Sequence, residues 1–190
     1  GRAEAVVGSA DKPKGAWQTA WSSVKPSTGP ACTLLKDNLT IRDNEYGQLY
    51  YNSIMDLYAS WGVDFIKVDD LSRPFHADEL RMIRRAIDQT GRPIVLSLSP
   101  GKTMYQYAED CLENANMWRM MDDLWDNWSH EDAVFNEAKA WSQYYRPGNY
   151  ADCDMLPLGQ IAMTIGDPGY TSAQSGRWTN LTQDEQYSMM

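Results

Sequence analysis

Four pairs of residues in this chain are of types, and at spacings, that can do chemistry. They are Lys67 with Asp69, Ser97 with Ser99, Arg119 with Asp123, and Asp152 with Asp154. Lys67 and Asp69 close the stretch Trp61-Gly62-Val63-Asp64-Phe65-Ile66-Lys67-Val68-Asp69-Asp70. Alternation along a strand puts Phe65, Lys67 and Asp69 on one face and Ile66 and Val68 on the other. An ammonium and a carboxylate at the end of an apolar strand are costly unless that end is a site or the two form a buried structural pair. Two carboxylates on different strands, each preceded by a cation, suit glycoside hydrolysis with retention. One carboxylate attacks the anomeric carbon. The other protonates the leaving oxygen and then activates water, the two lying about 5 to 5.5 Å apart. Lys67 and Arg119 suit sugar hydroxyls and neighbouring carboxylates. Aspartates at strand ends also bind magnesium, and Asp69, Asp123 and Asp154 are the residues that would converge in such a site. The cation beside each aspartate argues for the hydrolase reading, because a metal site does not want one. No metal and no cofactor are expected.

The elements that position these residues follow from periodicity. Tyr50, Ile54, Leu57, Tyr58 and Trp61 recur as one face of a helix, which Gly62 is placed to end. A strand at 64–69 follows. Leu80, Ile83 and Ile87 predict a helix over 76–90, with Asp78 and Glu79 in its first turn and Gly91 after it. A second strand is expected at 94–100, with Ser97 and Ser99 sharing a face. A weaker helix is read at 104–114, and a third strand at 116–123 with Arg119, Met121 and Asp123 on one face. A helix around 131–141 aligns Val134, Ala138 and Trp141. A turn from Pro147-Gly148 feeds a short carboxylate-bearing strand, and Thr182-Gln183-Asp184-Glu185 starts a last helix. Ala5-Val6-Val7 reads as the end of a strand; residues 8–30 read as a long loop, and residues 166–180 as Gly- and polar-rich loop.

Strands and helices thus alternate at the spacing of βα units, which predicts a parallel sheet with helices outside and polar residues at the strands' carboxyl ends. No Gly-rich phosphate loop follows any strand. A complete (β/α)8 barrel takes about 250 residues, and this chain has 190. The expectation is an α/β fold of (β/α)8 TIM-barrel type, residues 1–190 forming part of one catalytic barrel with its first strands and last strand missing. Open edges and half a site would leave these 190 residues alone poorly active and prone to aggregate.

Bulk properties narrow the partners. A net charge of −9 and a pI near 4.6 argue against nucleic acid and anionic membranes. No apolar run approaches the roughly 18 residues of a membrane span, and no secretory leader is read at residues 1–4. Cys32, Cys111 and Cys153 form no close-spaced pair, so neither zinc nor a disulfide framework is indicated. The eight Trp and eleven Tyr suit sugar sites and ordinary cores alike, so they decide nothing.

Residues 47–190 resemble the melibiase-type glycoside hydrolases of family 27, a family of α-galactosidases and α-N-acetylgalactosaminidases. Three motifs carry the resemblance, in the family order. Trp61-Gly62-Val63-Asp64-Phe65-Ile66-Lys67-Val68-Asp69 is similar to the family's nucleophile strand, implying Asp69 as nucleophile and Lys67 as a hydroxyl ligand. Trp118-Arg119 followed by Asp123 implies Asp123, not Asp122, as acid/base and Arg119 as a substrate ligand. Pro147-Gly148 through Asp152-Cys153-Asp154-Met155-Leu156 implies Asp154 as a further sugar ligand.

Two departures stand out. The family's galactosidases carry a Glu that reads the 2-hydroxyl where this chain has Ser99, and members acting on N-acetylgalactosamine also have a small residue there. Leu71 stands where many members place a Cys that pairs with one near Cys32. The resemblance implies a retaining enzyme on terminal α-galactosides, with α-N-acetylgalactosaminides and β-L-arabinopyranosides as alternatives. A non-catalytic carbohydrate-binding barrel is the reading of a different class. The partner implied is an oligosaccharide or glycoside, and a secreted or periplasmic setting is favoured over a cytoplasmic one.

Overall fold

The computed structural model describes residues 3–7, 32–35, 38–99, 101–161 and 177–190. Its elements in chain order are β1 (Ala3–Val7), β2 (Cys32–Leu35), β3 (Asn38–Ile41), α1 (Glu45–Ser60), β4 (Val63–Val68), α2 (Ala77–Thr90), β5 (Val95–Leu98), α3 (Ala108–Asn114), β6 (Met117–Arg119), α4 (Trp128–Trp141), β7 (Tyr150–Asp152) and α5 (Gln183–Met189). Five strands form one parallel sheet in the order β1-β4-β5-β6-β7. Helices alternate with the strands, as in part of a (β/α)8 barrel. Strands β2 and β3 make a separate antiparallel hairpin, which the sequence reading did not anticipate.

Local chemistry sets the boundaries. Asn44 caps α1, its Oδ1 accepting from the Gly47 amide at 2.9 Å. The chain leaves α1 through Gly62 at φ 77° and leaves α2 through Gly91 at φ 69°, left-handed conformations that glycine adopts without steric cost. Thr182 and Glu185 form a reciprocal capping box at α5, where the sequence placed a helix start.

Two elements differ from expectation. β6 is three residues long, not eight, because after Arg119 the chain turns out of the sheet. The shared face expected for Arg119, Met121 and Asp123 is therefore not a strand face. Helix α4 starts three residues before the expected 131, where Asn127 supplies a cap by accepting from the Ser129 amide. Of the expected loops, residues 8–30 and 166–176 lie outside the described residues, as does Pro100 at the end of the second expected strand.

Side-chain burial fixes which face of the sheet is which. Trp118 on β6 is fully buried, its ring centroid 5.6 Å from that of Trp141 on α4. Trp141 also packs on Tyr105 and Tyr144 at 4.9 and 5.3 Å. This aromatic cluster glues β6 to the helix layer. Because neighbours on a strand point opposite ways, it turns Met117 and Arg119 toward the barrel interior. Register extends that interior face: Lys67 lies abreast of Ser97, and Ser97 abreast of Met117. The intervening Ile66, Leu96 and Leu98 are buried toward the helices.

Candidate active site

The interior face carries the expected residues to one end of the sheet. Asp69 follows directly on β4, two residues past Lys67, and so continues its face. Ser99 stands in the same relation to Ser97. Its backbone brackets the Asp69 position: the Ser99 amide donates to Val68 O at 2.9 Å, and the Leu71 amide donates to Ser99 O at 3.2 Å. Ser99 is buried, while Lys67 and Asp69 are half-buried. Among the described residues neither Lys67 nor Asp69 takes part in an ion pair or side-chain hydrogen bond. The structural ion pair that the sequence left open is thus not formed, and both groups are available to a ligand.

Across β5 lies the second group. The Arg119 side chain is 3% exposed, and its guanidinium holds two carboxylates. Nη1 meets Asp154 Oδ1 at 2.8 Å, and Nη2 donates to Asp123 Oδ1 at 3.2 Å. Among the described residues Arg119 Nε has no hydrogen-bond partner and remains a buried donor. A planar fork of donors suits this bridging, which a lysine would not reproduce. Asp123 is 59% exposed and Asp154 only 6%. The second oxygen of Asp154 accepts from the Leu124 amide at 2.9 Å. Asp123 and Asp154 thus meet on a cation, the opposite of what a shared divalent metal would require. No three His, Cys, Asp or Glu side chains are grouped to hold a metal ion among the described residues.

The strand spacing of about 4.8 Å puts the β4 and β6 axes about 10 Å apart, with β5 between them.

Several supports escaped the sequence reading. Arg73, in the loop after β4, pairs with Asp122 beside Asp123 at 2.6 Å, and Asp122 also accepts from the Lys102 amide at 3.3 Å. The Arg73 guanidinium lies against Gly101, where an added Cβ would come within 3.1 Å of it, and Gly101 sits at φ 84°. Phe75 stacks on Tyr107 at 4.2 Å, joining the loops that follow β4 and β5. These residues are far apart in sequence and carry no periodic signal.

Asp126 is the firmest support of the loop that carries Asp123. Both of its oxygens meet Arg177, at 2.5 and 2.8 Å, and one also accepts from the Asn180 amide at 2.7 Å. The bidentate bond from Arg177 outweighs burial and holds the Asp126 carboxyl at about 2, below its ordinary 3.8. A carboxyl held low stabilises the fold at pH values above its unfolded value, and the effect is lost as pH falls from about 4 through about 2. Asp126→Asn is therefore expected to lower stability at neutral pH by about 2 kcal/mol and to flatten the acid limb of Tm against pH. Thermal melts of both proteins from pH 2 to 7 check this; parallel acid limbs would show the pair to be idle.

Comparison with known proteins supports the assignment of the fold. The Melibiase_2 family, described as Alpha galactosidase A, matches residues 39–182. Alpha-galactosidase 2 of Arabidopsis thaliana is 32% identical over 111 residues, covering 56% of this chain and 27% of that protein. Alpha-N-acetylgalactosaminidase of Gallus gallus is 32% identical over 136 residues, covering 64% of this chain and 32% of its own. Among solved structures, a family 27 β-L-arabinopyranosidase from Geobacillus stearothermophilus superposes with a TM-score of 0.68 at 47% identity, over 76% of this chain and 33% of that one. A protein from Bacillus halodurans, titled a putative alpha-N-acetylgalactosaminidase, gives 0.57 at 40% identity over 84% and 37%. The chain spans about a third of the length of these relatives. With the family match running through Asp69, Asp123 and Asp154, the chain belongs to the melibiase-type glycoside hydrolases of family 27.

Proposed function

We propose that the protein is a retaining glycosidase of terminal α-galactosides, with Asp69 as nucleophile and Asp123 as acid/base. The observation that carries this reading is the contrast between the two carboxylates. Among the described residues Asp69 stands without a partner beside Lys67 at the end of β4, and Asp123 is held on Arg119 beyond the end of β6. In the first step an Asp69 oxygen attacks the anomeric carbon while the Asp123 carboxyl gives its proton to the departing glycosidic oxygen. The C–O bond breaks and a glycosyl ester forms on Asp69. In the second step the Asp123 carboxylate takes a proton from water as the water displaces Asp69. Two inversions give net retention. Lys67 and Arg119 supply donors to sugar hydroxyls, and Ser99 and Asp154 complete the pocket wall. No cofactor is needed for this chemistry. A secreted or periplasmic setting is part of the same proposal.

A second substrate reading has its own support. The β-L-arabinopyranosidase is 47% identical over the shared region. β-L-Arabinopyranose has the ring stereochemistry of α-D-galactose without the exocyclic hydroxymethyl, so one catalytic pair serves both. α-N-Acetylgalactosaminides differ at C2, where the small side chain of Ser99 leaves space.

The test is a screen of the full-length protein with aryl α-D-galactoside, α-N-acetylgalactosaminide and β-L-arabinopyranoside, reading both rate and the anomer of the first-formed sugar. Turnover with a retained anomer is expected for at least one. Sugar binding without turnover would make the protein a carbohydrate-binding barrel instead, and activity lost to a chelator would revive the metal-dependent reading.

A further inference from the structure

We infer that Asp152 and Asp154 are positioning residues that aim the Asp123 carboxyl, an inference that rests on Asp123 being the acid/base. Asp154 sits at φ 76°, left-handed, although it is not glycine. An L-residue there crowds its own Cβ, and aspartate tolerates it best when local hydrogen bonds compensate. Asp152 supplies one: its Oδ1 accepts from the Asp154 amide at 2.9 Å. Asp152 is in turn fixed to the sheet. It lies abreast of Arg119 in the β6–β7 register, and its carbonyl accepts from the Met120 amide at 3.1 Å.

The unusual backbone has a result. It points the Asp154 carboxylate at two groups that both lead to Asp123. Oδ2 takes the Leu124 amide, the peptide joined to the Asp123 carbonyl carbon, at 2.9 Å. Oδ1 takes Arg119 Nη1 at 2.8 Å, and the same guanidinium holds Asp123 through Nη2 at 3.2 Å. Asp123 is therefore gripped at its backbone on one side and at its side chain on the other, both through one buried carboxylate. Asp123 needs such a grip. It lies four residues past the end of β6, exposed and, among the described residues, with no ladder hydrogen bonds of its own. Asp154, with both oxygens engaged, exerts its effect through the groups it holds.

Misaiming a general acid has a signature that loss of a sugar contact lacks. Proton donation matters most when the leaving group is a poor one and least when it departs unaided. The test measures kcat/KM, which reports glycosyl transfer to Asp69, for two aryl glycosides of the sugar that the wild-type full-length enzyme accepts. One has an acidic phenol as leaving group and the other a weakly acidic alkylphenol. The ratio of the two values does not depend on the fraction of protein that is folded.

Asp152→Ala is expected to depress the alkylphenyl substrate at least about tenfold more than the activated one, since small misplacements of a reacting group cost up to about a hundredfold. Asp152→Asn, which keeps the accepting oxygen, is expected to restore the wild-type ratio. Where Asp152→Ala does not fold, Asp154→Asn is read the same way, because it removes the charge that holds Arg119. A ratio equal to wild type in the variant measured would overturn the inference. Failure of the wild-type protein to hydrolyse any glycoside would instead overturn the proposed function.

Discussion

Asp69→Ala is expected to abolish turnover in the full-length protein, lowering kcat/KM on the order of ten-thousandfold or more on every glycoside tested. The neighbouring aspartate is the informative contrast. Asp70 directly follows the proposed nucleophile, is exposed, and sits at φ 62°. Its backbone is part of the turn that ends β4, and nothing places its carboxylate over the sheet. Asp70→Asn keeps a side chain that accepts left-handed backbone and is expected to leave activity within a few-fold of wild type. Steady-state kinetics on the two purified variants decides the matter. Equal losses at both positions would mean that the strand end itself, and not the Asp69 carboxylate, is required. Retained activity in Asp69→Ala would remove the nucleophile assignment. The absence of a pair between Asp69 and Lys67 bears on this: a structural carboxylate so placed would be expected to hold Lys67, and among the described residues it holds no cation.

Asp123→Ala should give a different pattern, because the acid/base acts twice. With a poor leaving group, loss of the proton donor is expected to lower kcat/KM by about a hundred- to ten-thousandfold. With a leaving group that departs unaided, the first step survives and the glycosyl ester accumulates, since no base activates water. A small anionic nucleophile such as azide needs no base. It should therefore raise kcat on the activated substrate and give the glycosyl azide with retained anomeric configuration. Rate measurements with and without azide, and identification of the product, check this. Equal loss on all substrates with no azide effect would place Asp123 outside the proton transfers. Arg119 would then be holding a structural carboxylate.

Much of the frame could be read from residue order because the signals are local. Helices α1 and α2 end where Gly62 and Gly91 take left-handed conformations, and Leu80, Ile83 and Ile87 of α2 are buried as their spacing predicts, whereas α1 buries Tyr51, Met55 and Tyr58 and leaves Leu57 and Trp61 of its expected face exposed. Lys67 lies on β4, and Asp69 and Ser99 come one residue past the ends of β4 and β5. The eight-residue third strand failed for a physical reason. Alternation continues in the sequence past Arg119, but the chain has already left the sheet, and the Arg119–Asp123 contact is a turn contact at i,i+4. The β2–β3 hairpin was missed because the sequence between its strands, Lys36-Asp37, lacks the Asn-Gly type of signal that marks a tight hairpin. The pairs that fasten the site, Arg177 with Asp126 and Arg73 with Asp122, join residues about 50 apart and leave no trace in any window. Asp152 was noted as a carboxylate at a strand end, but its use as a turn acceptor depends on the left-handed residue two positions later, which composition does not reveal.

The central claim, that Asp69 forms a covalent bond to the sugar, is tested most directly by trapping that bond. A fluorinated sugar whose glycosyl ester hydrolyses slowly is incubated with the full-length protein, which is then digested and mapped by mass spectrometry. A single added sugar is expected on the peptide that spans β4, with fragmentation assigning it to Asp69. A label on Asp70, Asp123 or any other residue would contradict it, as would turnover that inverts the anomeric centre and leaves no adduct.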